Sequence, residues 1–164
     1  MTTNFHELYQ RYAQDVYRFS YWLCGDSKDA EDITSETFVR ALTAPGEIKA
    51  ETVKGYLLTI AKNLVFKKTA REKRFSPVDD GLREPSAGPE QQVETTLDLD
   101  YALRFLQTLP EIDRAAVILR LQDALSYEEI ASTLEISIAA ARVKIHRARL
   151  KLAAYRILNE EIEK

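Results

Sequence analysis

Apolar residues recur along most of this chain at intervals of three and four, the signature of helices with one buried face. Phe5, Leu8, Tyr9, Tyr12, Val16, Phe19 and Leu23 predict a first helix of about five turns, stopped by Gly25. Asp26 or Ser27 caps a second, running to about Leu42, with Ala30, Ile33, Thr37, Phe38 and Ala41 inward. Pro45-Gly46 marks a loop. Thr52 then caps a third helix to about Arg74, whose stripe is Val53, Tyr56, Leu57, Ile60, Ala61, Leu64 and Val65. Residues 75–96 lose the period and hold Pro77, Gly81, Pro85, Gly88 and Pro89, the composition of an extended acidic linker. Leu97 to Leu109 resumes it with Leu99, Ala102, Leu103 and Leu106 inward, and Pro110 suits the first turn of a helix from Glu111 to Gln122. The expected fold is all-α: two small helical domains, 1–74 and 97–164, joined by a flexible linker over 75–96.

The stretch from Leu125 to Leu152 is the most informative. Ser126 and Glu129 form a capping box ahead of a short helix that buries Ile130, Ala131 and Leu134. Glu135 and Ile136 make a turn, and Ser137 caps a second helix with Ile138, Ala141, Ile145, Ala148 and Leu152 on its inner face. Its outer face carries Ala139, Ala140, Val143, His146 and Arg147, flanked by Arg142, Lys144, Arg149 and Lys151. Two short helices about a tight turn, the second small-faced and ringed by cations, read as a DNA-binding helix-turn-helix. Val143 and the alanines suit thymine methyl groups, and Arg147 suits a guanine edge or a phosphate. The competing reading is a solvated basic helix at the end of a bundle.

The net charge of −3 speaks against nucleic acid only until it is divided. Residues 1–74 are +2, residues 75–137 are −9 and residues 138–164 are +4. Basic side chains concentrate in Lys62–Arg74 and Arg142–Arg156, and polyelectrolyte binding follows local patches. The lone Cys24 excludes an internal disulfide and a cysteine zinc site, and reads as a small buried apolar residue. No signal peptide or membrane span is evident, since the run Val16–Cys24 is too short and is broken by Arg18, so the expectation is a cytoplasmic protein without membrane insertion. Phosphate-binding glycine loops, His/Cys metal spacings and serine nucleophile motifs are absent too, and no cofactor is expected.

Asp29, Asp32 and Glu36 share one face of the second helix. They read as a solvated face or as a docking surface for a basic partner. A metal or hydrolase site on these carboxylates is a third reading, for which no completing ligand is evident.

Two stretches resemble one family. GDSKDAEDITSETFVRAL (25–42) with GYLLTIAKNL (55–64) resembles region two of the extracytoplasmic-function sigma factors, a branch of the sigma-70 family. LPEIDRAAVILRLQDALSYEEIASTLEISIAAARVKIHRARLKL (109–152) resembles their region four. The resemblance implies a promoter-recognition factor of bacterial RNA polymerase and no enzyme of its own. It implies that Asp32, Ser35, Glu36 and Arg40 meet the clamp helices of the polymerase's largest subunit. Ala44, Ile60 and Asn63 match positions that hold an unpaired base of the minus-ten element, with Lys62 and Lys67 adding DNA contacts. Arg120, Arg142, Val143, Lys144, His146 and Arg147 match the side that reads the minus-thirty-five element. Promoter DNA, core polymerase and an anti-sigma factor are the implied partners.

The chain departs from the family pattern in places. Ala139-Ala140 replace the usual Gly-Thr at the start of the recognition helix, and Val143 replaces a serine. Glu135 stands at the turn glycine and Ser35 at a glutamine, and the loop Pro45–Val53 lacks the usual Phe and Arg. An altered recognition helix in an acidic chain leaves an alternative, a sigma-factor mimic that sequesters an anti-sigma factor without binding DNA. The retained cations weigh against it.

Overall fold

A computed structural model describes residues 5–44, 52–75 and 97–162. The turn at Pro45-Gly46 and the expected linker lie outside these residues, apart from Phe75 at the end of the third helix. The described residues form helices without strands: α1 Phe5–Cys24, α2 Ser27–Thr43, α3 Val53–Phe75, α4 Leu97–Thr108, α5 Glu111–Leu121, α6 Tyr127–Leu134 and α7 Ile138–Ile162. The all-α expectation holds, and helix ends fall within two residues of the sequence reading up to α6.

Local chemistry explains the boundaries. Gly25 ends α1 at φ +76°, its N–H donating to Tyr21 O at 2.7 Å, and an added Cβ would meet Gln107 at 3.1 Å. Asp26 caps α2 by accepting from Asp29 N at 3.0 Å, and Thr52 Oγ1 accepts from Gly55 N at 3.0 Å at the head of α3. Both halves of the Ser126–Glu129 capping box are formed. Buried Thr34 and Thr37 donate to Ala30 O and Ile33 O, each at 2.6 Å, so both hydroxyls are satisfied within α2.

Helices α1–α3 pack together around Phe19, Leu23, Ile33, Phe38, Leu57 and Leu58. Helices α5–α7 pack around Leu119, Ile130, Ala141 and Ile145. The two groups also meet: α1 lies against α4 and α5, and α3 against α6, so the buried apolar residues run on as one cluster. Arg114 is the main polar tie. Its guanidinium donates to Leu106 O (2.8 Å) and Leu109 O (3.1 Å) at the end of α4, and to Leu23 O (2.8 Å) at the end of α1. Burial pushes its pKa down while Glu111 opposes the shift. Asp123, between α5 and α6, pairs with Lys54 of α3 at 3.5 Å. Burial raises its pKa to about 6, with Lys54 opposing. Cys24 is half-buried, its thiol pushed up to about 11 by burial, as expected of an inert packing residue.

Four apolar expectations fail: Phe5, Tyr9, Leu99 and Ile138 are exposed, although they share helical stripes with buried residues. Phe5, Leu99 and Ile138 lie within three residues of a helix start.

Candidate functional site

Three surfaces carry the residues singled out by the sequence. The first is an open pocket of about 250 Å³ between the end of α2 and one face of α3. Arg40 and Ala44 form one wall; Tyr56, Ile60, Asn63, Leu64 and Lys67 form the other. The spacing 56, 60, 63, 64, 67 is one helical stripe, and Ala44 breaks from the helix into an extended conformation (φ −66°, ψ 129°) that opens the side. The pocket is smaller than the about 300–1,000 Å³ of drug-sized sites and suits a single heterocycle. Its tools are an amide, an aromatic ring, three aliphatic side chains and two cations. Ala44, Ile60, Asn63 and Lys67 therefore come together. Tyr56 and Leu64 join them, although their periodicity reads as core.

Lys62 does not join. It is 4% exposed, on the side of α3 that meets α6, with its ammonium 5.7 Å from the Phe66 ring centre. Burial lowers its pKa, and the Glu135 carboxylate partly offsets this. Its position four residues after buried Leu58 places it on a buried stripe of α3. In this packing Lys62 is an internal cation.

The second surface is the outer face of α2, where Asp32, Ser35, Glu36 and Arg40 are all exposed. Arg40 Nε donates to Glu36 Oε1 at 3.0 Å, and its side chain also reaches the pocket, so it belongs to both surfaces. Asp29 differs from its neighbours: it pairs with Lys68 of α3 and ties two helices together. Among the described residues no three His, Cys, Asp or Glu side chains gather in a metal-holding group.

The third surface is the helix-turn-helix. Glu135 adopts φ 56°, ψ 45°, the left-handed conformation a turn glycine would take without strain, and its N–H closes α6 onto Ala131 O and Ser132 O. Ser137 Oγ caps α7 by accepting from Ala140 N at 3.0 Å. Val143 is 45% exposed, and Arg142, His146 and Arg147 are exposed around it. Arg120, from the last turn of α5, donates from Nη1 to Leu125 O at 3.0 Å and lies 4.4 Å from the centre of the Tyr127 ring. Arg142 lies 5.2 Å from the same centre. Lys144 departs from expectation: its ammonium donates to buried Asp113 at 2.9 Å, tying α7 to α5 beneath the outer face. A cation committed to a buried carboxylate is a framework element, and its DNA-facing role is not supported by this packing.

Comparison with known proteins gives the same outline. The sigma-70 region 2 family model matches residues 8–75, and the sigma-70 region 4 model matches residues 99–152. The ECF RNA polymerase sigma factor SigE of Mycolicibacterium smegmatis is 37% identical over 157 residues, 91% of this chain, which spans 60% of that relative's length. The ECF RNA polymerase sigma factor SigM of Bacillus subtilis is 30% identical over 153 residues, covering 90% of this chain and 92% of the relative. Among solved structures, the sigma factor RpoE of Bartonella quintana, in complex with the anti-sigma factor NepR, superposes with a TM-score of 0.78 at 24% identity, over 92% of this chain and 95% of that one. That likeness establishes the fold. Matches to both regions in order, and 30% identity to SigM over nine-tenths of each chain, show that the chain belongs to the ECF sigma factors of the sigma-70 family.

Proposed function

We propose that this chain directs core RNA polymerase to promoters by reading a minus-thirty-five element with α7 and seating an unpaired minus-ten base in the α2–α3 pocket. The observation that carries this reading is the meeting of Ala44, Ile60 and Asn63 with Tyr56 and Arg40 around one base-sized space. Unstacking a base costs a few kcal/mol, and a ring, an aliphatic wall and an amide that bonds its edge return part of that cost. The polymerase performs the chemistry, so the chain's own contribution is positional and its place is the cytoplasm. No described helix is long and apolar enough to cross a membrane.

The domain division 1–74, 75–96 and 97–164 belongs to the same proposal. Elements about 25 base pairs apart lie about 85 Å apart on straight DNA. Here α3 packs on α6, which packs on α7, and packed helix axes are only about 8–10 Å apart. One body of this size does not reach both elements, so the halves part on the promoter. A segment the length of 76–96 extends at most about 70 Å, enough to let them. An anti-sigma factor is the proposed regulator, holding the two halves together and away from polymerase and DNA.

Transcription in vitro with purified core polymerase on a genomic library tests the reading. The expected result is transcripts from discrete start sites that require this protein; transcription no greater than that of core alone refutes it. Two substitutions then locate the contacts. Asn63→Ala is expected to reduce open-complex formation about three- to tenfold, the worth of one amide hydrogen bond, with closed-complex binding nearly unchanged. A larger loss in the closed complex removes Asn63 from the base pocket. Arg147→Ala is expected to cost about 1–3 kcal/mol and to relax preference at one base pair. Equal weakening on every sequence makes it a phosphate contact.

A further inference from the structure

The expected reading surface of the helix-turn-helix contains an aromatic side chain that neither the sequence pattern nor the DNA-facing set includes. Tyr127 is the first residue of α6, directly after the capping Ser126. Its ring packs half-buried against the core, which fixes its place. Two guanidinium carbons lie over it, that of Arg120 at 4.4 Å and that of Arg142 at 5.2 Å from its centre. These two arginines come from different helices, α5 and α7, and Tyr127 from a third.

We propose that Tyr127 is a positioning residue that holds Arg120 and Arg142 in the geometry in which they meet the minus-thirty-five duplex. This rests on the DNA-reading role proposed above. Two like charges drawn to one place repel, and an arginine on an open helix face samples many rotamers. The negative face of a fixed ring offsets the repulsion and removes the rotamer freedom before DNA arrives. Arg120 is held twice, since its Nη1 also donates to Leu125 O at 3.0 Å. That carbonyl lies two residues before Tyr127, so the α5–α6 connection and the ring clasp one guanidinium between them. Binding then freezes less motion, and both cations approach the duplex in a set relation.

The role depends on the π face and not on the hydroxyl, which separates it from a direct DNA contact by Tyr127. The test uses the full chain assembled with core polymerase and the strongest promoter duplex recovered from the transcription library. Tyr127→Leu is expected to weaken duplex binding about five- to tenfold, and Tyr127→Phe to stay within about twofold of wild type. In an Arg120→Ala, Arg142→Ala background the leucine substitution is expected to cost nothing further, because nothing remains to be held. If the leucine variant loses helix signal, Tyr127→Met fills similar space and is measured in its place. A phenylalanine variant as weak as leucine overturns the proposal, since the hydroxyl then does the work. So does a leucine variant that binds like wild type, or a leucine loss that persists in full without the two arginines. A wild-type holoenzyme that binds no duplex defeats the promoter reading itself. Wild-type binding that is insensitive to Tyr127 defeats only this inference.

Discussion

Asp32→Arg is expected to abolish holoenzyme formation, lowering affinity for core polymerase at least about a hundredfold, while the helical signal and melting temperature stay at wild-type values. Asp32 is exposed on the outer face of α2, with Ser35 and Glu36 one turn on. Asp29, on the same acidic helix, is committed to Lys68 and holds α2 to α3, so reversing its charge would confound folding with docking. Asp32 carries no such duty, and arginine is a better helix former than aspartate. The Glu36–Arg40 pair beside it, at 3.0 Å, is exposed on both sides and worth only about 0.3–0.5 kcal/mol, so docking can break it cheaply. Val39 is 54% exposed, seven residues from Asp32 and four from Ser35, and lends an apolar contact to the same face. If the partner surface is basic, a reversed charge meets like charge there, at a cost of several kcal/mol. Co-elution of the variant with core polymerase, or an unchanged dissociation constant, would place the docking surface elsewhere.

How far the sequence anticipates this molecule depends on the range of the interaction. Helix positions, the Ser126–Glu129 box and the cap at Ser137 are legible because each is decided within four residues along the chain. The pocket is legible in part. Family resemblance supplies Ala44, Ile60 and Asn63, while Tyr56 and Leu64 carry the same spacing as core residues and periodicity alone does not tell a core from an open pocket. The surroundings of the cations are not legible. Lys144 finds Asp113 31 positions away, and Lys62 is enclosed because α6 docks on α3. A basic residue on a helix reads as solvated until the element that covers it is known. The Tyr127 contacts are hidden for the same reason, since they join three helices. The departure at Glu135 is legible and has a physical cost: a non-glycine residue in the left-handed region gives up about 1 kcal/mol, borne by the packed helices on either side.

The contact between the halves makes Arg114→Ala the substitution with the largest expected effect on stability. One guanidinium satisfies three carbonyls, two at the end of α4 and one at the end of α1. Helix C-termini leave such carbonyls without partners, and alanine offers nothing in return. Bonds to a charged donor contribute about 1.5–3 kcal/mol each, but they share one side chain and offset its own burial, so a net loss of about 3 kcal/mol is expected. For a chain of this length that lowers the melting temperature by about 6–12 °C, read by helix signal on heating. Arg114→Lys should recover only a minor part, because an ammonium has no planar fork to reach three oxygens lying in different directions. The Leu23 bond adds a second expectation, since it alone of the three joins α1 to the C-terminal half. The alanine variant should therefore separate its halves more readily, seen as faster protease cleavage within 76–96 and a larger hydrodynamic radius at temperatures where both variants remain helical. A variant that melts at the wild-type temperature and elutes at the wild-type radius would mean that the apolar cluster alone holds the halves together. In that case opening on a promoter would have to work against burial of Leu23, Leu58, Phe105 and Ile130 and not against one arginine.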